Sequence, residues 1–233
     1  IRIEGDACRT FTTLFLEMWN ATELTDLNKL EGFLRETPKI TPSVLTDALP
    51  ETGVICPYGD SPLDDENTGE TVYMNLINYA KDYVWFTTPY LIITDEMMNS
   101  FILAAKRGVD VRIIMPGIPD KKIIFILSRS YYRPLIEAGV RIYEYTPGFV
   151  HAKTFVSDDC KAVVGTINLD YRSLYLHFEC AAYLRDMPAV LDVEKDFQAT
   201  IAQSQEIRPE DLKSIPLAYR VAGWLLKVFA PVM

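Results

Sequence analysis

Histidine is nearly absent from this 233-residue chain, which has only His151 and His177. Its four cysteines, Cys8, Cys56, Cys160 and Cys180, are scattered and form no C-x-x-C pair. A zinc centre with ordinary ligand spacing is therefore excluded. So is a small disulfide scaffold, which is far denser in cysteine, and the expected setting is a reducing cytosol. No run of about eighteen apolar residues occurs, so no segment reads as a membrane-spanning helix. The opening Ile1-Arg2-Ile3-Glu4-Gly5 has neither the apolar stretch of a signal peptide nor an initiator Met, and is expected to continue a longer chain. Positive charge is also scarce. With 23 Lys and Arg against 32 Asp and Glu, the net charge of −9 argues against general nucleic-acid binding.

What is present reads as a globular domain, with 49% hydrophobic and 24% charged residues. Charge is unevenly placed. Residues 42–80 contain no Lys or Arg, whereas residues 106–141 carry Lys106, Arg107, Arg112, Lys121, Lys122, Arg129, Arg133 and Arg141 against only Asp110, Asp120 and Glu137. Two readings of that basic excess stand open: ordinary solvated helix faces, or a surface that meets anionic headgroups.

Periodicity supplies the element order. Residues 2–4 read as a strand end, followed by an amphipathic helix over 6–19. A short helix is expected over 23–35, then a Pro-, Thr- and acid-rich stretch with a strand at 53–57 and a loop at Asp64-Asp65-Glu66-Asn67. From there helix and strand alternate: a helix over 70–81, a strand over 83–87, a helix opened by Thr94-Asp95-Glu96 and closed near Gly108, and a strand over 109–115. One long helix is expected over 121–138, ending at Gly139, then a strand over 140–145. Toward the C terminus come a strand at 181–184, a helix over 188–203, an acidic turn, and an amphipathic helix with Leu217, Val221, Trp224, Leu225, Val228 and Phe229. That last helix either packs back on the domain or lies in a lipid interface. The whole predicts an α/β fold, with a mixed, mainly parallel-type sheet covered by helices on both faces.

The chemistry concentrates in His151-Ala-Lys153-Thr-Phe-Val-Ser-Asp158 and the following Gly165-Thr166-Ile-Asn168. Residues 151–156 alternate as a half-buried strand does, which would project His151 and Lys153 side by side. A hairpin turning near Asp159 sets Lys153 across from Gly165 and brings Asn168 beside the imidazole. An imidazole, a fixed cation and an amide then converge on a phosphate-sized spot, a set suited to attack on a phosphodiester.

The pattern resembles the HKD motif of the phospholipase D superfamily at His151, Lys153, Asp158, Gly165, Thr166 and Asn168. Its extension through Phe178-Glu179 resembles the bacterial cardiolipin synthase branch, although His177 stands where that branch would have asparagine. The resemblance implies a phosphatidyltransferase that forms cardiolipin from two phosphatidylglycerols. One motif histidine becomes a phosphohistidine, and the histidine of a second motif protonates the leaving alkoxide. It implies catalytic roles for His151, Lys153 and Asn168, with Asp158 and Glu179 as carboxylates that orient the imidazole, and substrate contact at Gly165 and Thr166. No metal or cofactor is implied. The expected partners are an anionic phospholipid, a membrane surface and a second HKD half, either upstream or from a homodimer partner, with no nucleic acid. The implied location is the cytoplasmic side of a bacterial membrane.

On this reading residues 1–20 are the tail of a preceding repeat, 21–50 a connector, 51–205 a phospholipase D-like half domain, and 206–233 a C-terminal amphipathic helical segment. Phe149, Tyr131, Tyr132 and Tyr145 are expected near the mouth. The alternatives are a homodimeric phosphodiesterase or nuclease of the same superfamily, and an inert half domain.

Overall fold

A computed structural model of the chain describes residues 1–22 and 53–232. The expected helix over 23–35 and the acid-rich stretch up to residue 52 lie outside the described residues. In chain order the elements are α1 (Ala7–Thr22), β1 (Val54–Asp60), α2 (Thr68–Tyr79), β2 (Tyr83–Thr87), β3 (Leu91–Ile92), α3 (Asp95–Lys106) and β4 (Asp110–Pro116). They continue with α4 (Lys122–Ser130), α5 (Tyr132–Glu137), β5 (Arg141–Tyr145), β6 (Thr154–Ser157), β7 (Lys161–Gly165), β8 (Leu169–Asp170) and α6 (Tyr171–Tyr175). The C-terminal part holds β9 (Glu179–Arg185), α7 (Pro188–Ile201), β10 (Ser204–Ile207), α8 (Pro209–Lys213), α9 (Leu217–Lys227) and a 3-10 turn at Ala230–Val232.

Eight strands form one sheet in the order β1-β9-β7-β6-β2-β4-β5-β10, and β3 pairs with β8 beside it. The sheet is mixed, as expected, but parallel pairing is confined to β2, β4 and β5; the other five of its seven pairings are antiparallel. Helical crossovers join only β2 to β4 and β4 to β5, and a parallel neighbour needs such a crossover. The chain then reverses through β6, and this reversal decides where the chemistry sits.

Alternation along the strands divides the core. Val84, Phe86, Ile113, Phe155 and Val163 face one layer, shared with Leu76, Met97, Phe101 and Leu127 from helices α2, α3 and α4. Trp85, Ile114, Val156, Ala162 and Ala182 face the other, against Val190 and Phe197 of α7 and Phe11 of α1. Tyr73 meets Phe155 edge-on at 4.3 Å between ring centroids, and Phe86 meets Phe101 in the same manner at 5.1 Å, directly behind the strand that leads out of the motif.

Three local expectations are corrected. Residues 2–4 carry no strand. The helix expected over 121–138 is broken at Tyr131, whose N–H bonds to Ser128 O in a tighter turn (3.1 Å). Pro134 explains the break, since it has no N–H for the Ser130 carbonyl and its ring crowds that oxygen. The acidic turn after Gln203 is instead the edge strand β10, antiparallel to β5, with Arg141 and Glu206 paired across it (2.9 Å).

Candidate active site

The strands β2, β4 and β5 run one way, β6 and β9 run the other, and β7 returns. The start of β6, the end of β7 and the start of β9 therefore all lie at the carboxyl edge of the parallel trio, where α/β sheets place their ligand crevices. His151 and Lys153 sit in extended chain just before β6 rather than within it. The predicted register still holds one step beyond the strand, because Gly165 N–H donates to Lys153 O (3.2 Å). His151, Lys153, Gly165, Thr166, Asn168 and Glu179 line one open cleft of about 580 Å³.

His151 is exposed and stacks on Phe149, with 5.9 Å between ring centroids. Lys153 is 7% exposed. Its ammonium donates to His151 O at 2.8 Å and stands 3.1 Å from both ring nitrogens. Desolvation, followed by the Lys153 charge, lowers the imidazole pKa below its ordinary value, while Asp120 acts in the opposite direction. Burial also lowers the Lys153 pKa, against the pull of Glu179 and Asp170. The first effect favours a neutral imidazole, whereas the second works against the Lys153 cation, which Glu179 and Asp170 help to hold.

The loop after β7 is pinned from three sides. Thr166 N–H donates to Cys180 O (2.9 Å), and the buried Tyr73 hydroxyl donates to Ile167 O (2.9 Å). Leu169 N–H donates to Thr88 Oγ1 (3.2 Å). Asn168 is held in turn. Its Nδ2 donates to Ser173 Oγ (2.8 Å) and to Asp170 Oδ2 (3.3 Å), while its Oδ1 is buried with no partner. Both donors expected to meet a phosphate oxygen are therefore engaged, because Asp170 caps α6 and its carboxylate is at hand. Binding an oxyanion at this amide requires one of those bonds to be exchanged.

The two carboxylates separate. Glu179 reaches the cleft, accepts from the Thr166 hydroxyl through Oε2, and has Oε1 3.6 Å from His177 Nδ1. Asp158 does not reach it. That residue lies at the opposite end of β6, five residues on from Lys153, a run of roughly 16 Å. Its carboxylate accepts N–H bonds from Lys81 (3.0 Å), Asp82 (3.0 Å) and Tyr83 (2.9 Å), tying the hairpin turn to the start of β2. Asp158 and Asp159 take positive φ (51° and 55°), as a tight two-strand turn demands. Burial pushes the Asp158 carboxyl up, but the three backbone donors outweigh it and the net pKa is lowered. Among the described residues no carboxylate hydrogen-bonds to His151.

Gly165 lines the cleft and also serves the packing of the sheet. A Cβ there would lie 2.3 Å from Ala181 Cβ and 2.6 Å from Cys180 O, so the close approach it permits is that of β9. Tyr131 and Tyr132 are core residues, not mouth residues. Three polar groups were missed from the sequence: Asp120, which accepts from Tyr90 (2.6 Å), and the pair Asp170 and Ser173. Only Asp170 left a signal, an acid three residues before Ser173 at a helix start. A larger groove of about 700 Å³ lies between α4 and α9 and contains none of the motif residues.

Comparison with known proteins accords with this geometry. Residues 73–201, more than half of the chain, match the family model described as "Cardiolipin synthase, PLD-like domain". A Halalkalibacterium halodurans cardiolipin synthase is 33% identical over 236 residues, covering 99% of this chain and 44% of its own length. A Streptococcus mutans protein of no stated function is 47% identical over the full chain and 48% of its own length. The chain thus spans about half the length of these relatives. Among solved structures, phosphatidylserine synthase of Haemophilus influenzae matches with TM-score 0.62 at 17% identity, over 79% of this chain and 49% of that one. Nuc of Salmonella typhimurium, a phospholipase D family member, matches with TM-score 0.58 at 17% identity, over 67% and 99% respectively. At such identity these two likenesses concern the fold.

Proposed function

The chain belongs to the cardiolipin synthase group of phospholipase D-like domains, and from that premise we propose that it supplies one half of a phosphatidyltransferase site. The substrate would be phosphatidylglycerol and the product cardiolipin. The observation that carries the reading is the pairing of an exposed, neutral-leaning imidazole with a buried lysine ammonium 3.1 Å away, at the edge of an open cleft.

In the proposed reaction an imidazole nitrogen attacks the phosphorus in line. A P–N bond forms and the P–O bond to glycerol breaks, with the departing oxygen taking a proton from a second histidine opposite. A hydroxyl of another phosphatidylglycerol then gives its proton to that second histidine and attacks phosphorus. The P–N bond breaks, and the first imidazole is restored. His151 is one of the two histidines. Lys153 sets its charge on the equatorial oxygens. Glu179, held by Thr166, maintains the field that keeps Lys153 protonated. Asp158 contributes by fixing the hairpin that delivers His151 and Lys153.

A second histidine is required because one ring cannot stand on both sides of an in-line displacement. It would come from another HKD half, upstream in a longer chain or from a second copy. Substituting His151→Ala in an enzyme containing both halves tests the proposal. The variant should fold and lose measurable phosphatidylglycerol turnover, and Lys153→Ala should fall on the order of a hundredfold or more. A His151→Ala enzyme with near wild-type turnover would remove the proposal.

A further inference from the structure

At 3.6 residues per turn, Leu217, Val221, Trp224, Leu225 and Val228 fall on one stripe of α9. An amphipathic helix ordinarily turns such a stripe into the core. Here it points outward, with Leu217 70%, Trp224 68% and Val228 71% exposed. The opposite side of the helix seats on α4 through Gly223, where an added Cβ would meet Ser130 Cβ at 2.9 Å and Ile126 O at 3.3 Å. The helix is therefore docked through Gly223 and through Leu226, which packs against the main core, while the stripe is left in solvent. On α4, Ile123 is likewise 55% exposed.

Charge follows the same surface. Residues 121–133 carry Lys121, Lys122, Arg129 and Arg133 with no acid, and residues 212–233 carry Lys213, Arg220 and Lys227 with no acid. These segments hold +7 in a chain of net charge −9, so everything else sums to −16. Arg129 is partly engaged by Glu144 (2.7 Å), while Arg220 stands exposed beside the apolar stripe. A second copy is a poor occupant, because a two-fold contact would bring the same basic rims together. A bilayer suits both features, with apolar side chains at the acyl boundary and cations among anionic headgroups.

We propose that α9 and α4 together form the face by which this domain docks on an anionic membrane surface. The inference rests on the reading above only for its choice of phospholipid. Helix α4 begins two residues after Asp120.

The test is co-sedimentation of the 233-residue chain with phosphatidylglycerol or phosphatidylcholine vesicles, with light scattering of the free protein. The expected result is binding to phosphatidylglycerol vesicles only, weakened at high salt. Leu225→Ser/Val228→Ser should reduce it at least about tenfold, and Arg220→Glu likewise. All three residues are exposed, and circular dichroism checks that the variants stay folded. Binding that ignores these substitutions, absence of binding by the wild type, or a self-associated species that the same substitutions dissolve would each overturn the inference. Vesicle binding is read without turnover, so failure to dock would count against this inference alone, and the catalytic proposal is judged separately by turnover of an enzyme that contains both halves.

Discussion

His151 and Asp158 close one eight-residue stretch of sequence, yet they serve opposite ends of a strand. The burial and Lys153 charge around His151 set a direction that is measurable. In a nuclear magnetic resonance titration, with His177→Ala used to assign the two rings, the His151 imidazole should titrate below its ordinary 6.5. The linked stability has a definite sign. Above pH 6.5 both folded and unfolded states are neutral at this ring. As the pH falls from there to the folded pKa, the unfolded chain takes up the proton first, and the fold loses stability. A ring titrating above 6.5 would contradict the described surroundings. Asp158 has the reverse sign. Its lowered carboxyl contributes stability that is fully present above about 3.8 and is lost as pH falls through the folded value. Asp158→Ala should cost about 1–3 kcal/mol in denaturant melts, from three backbone donors left unpaired and a positive φ without aspartate's tolerance of it. The residue types of the motif were legible in the sequence, and so was the Lys153–Gly165 register. The partners of Asp158 were not, because they lie more than seventy residues away and leave no local pattern.

Elements show the same division between local and distant causes. The strand over 83–87 follows from its apolar and aromatic run and the helix opened by Thr94 from its capping, and Thr94 does accept from Met97 N–H (3.2 Å). The break between α4 and α5 was also available locally, in the missing N–H of Pro134, but the apolar periodicity on either side concealed it. Strand β10 was hidden for a different reason: Ser-Gln-Glu-Ile on a sheet edge has no alternation to display. In α9 the stripe was plain, whereas its outward direction depends on Gly223 meeting α4. The contact between β7 and β9 offers a test at this scale. Gly165→Ala would drive a methyl group into Ala181 and the Cys180 carbonyl. We expect a loss of about 1–3 kcal/mol by thermal or denaturant unfolding, together with loosening of the Thr166–Cys180 bonds seen as faster amide exchange. Unchanged stability would show that β9 can yield where the packing says it cannot.

The whole molecule presents a cleft with one imidazole, one lysine and one open side. Fold class and the mixed sheet were legible from the strand–helix alternation, and the location of the cleft follows from where β6 reverses. What faces the open side was not legible, since neither periodicity nor motif spacing describes a surface. Among the described residues no carboxylate holds His151, whose neighbours are the Phe149 ring and the Lys153 ammonium. No described helix is long and apolar enough to cross a membrane. The most direct measurement of the central claim is size-exclusion chromatography with in-line light scattering, in which each eluted species is assayed for phosphatidylglycerol turnover. A half-site predicts silence from the monomer and turnover only in species that contain two HKD halves. A strictly monomeric chain with full multiple turnover would contradict it.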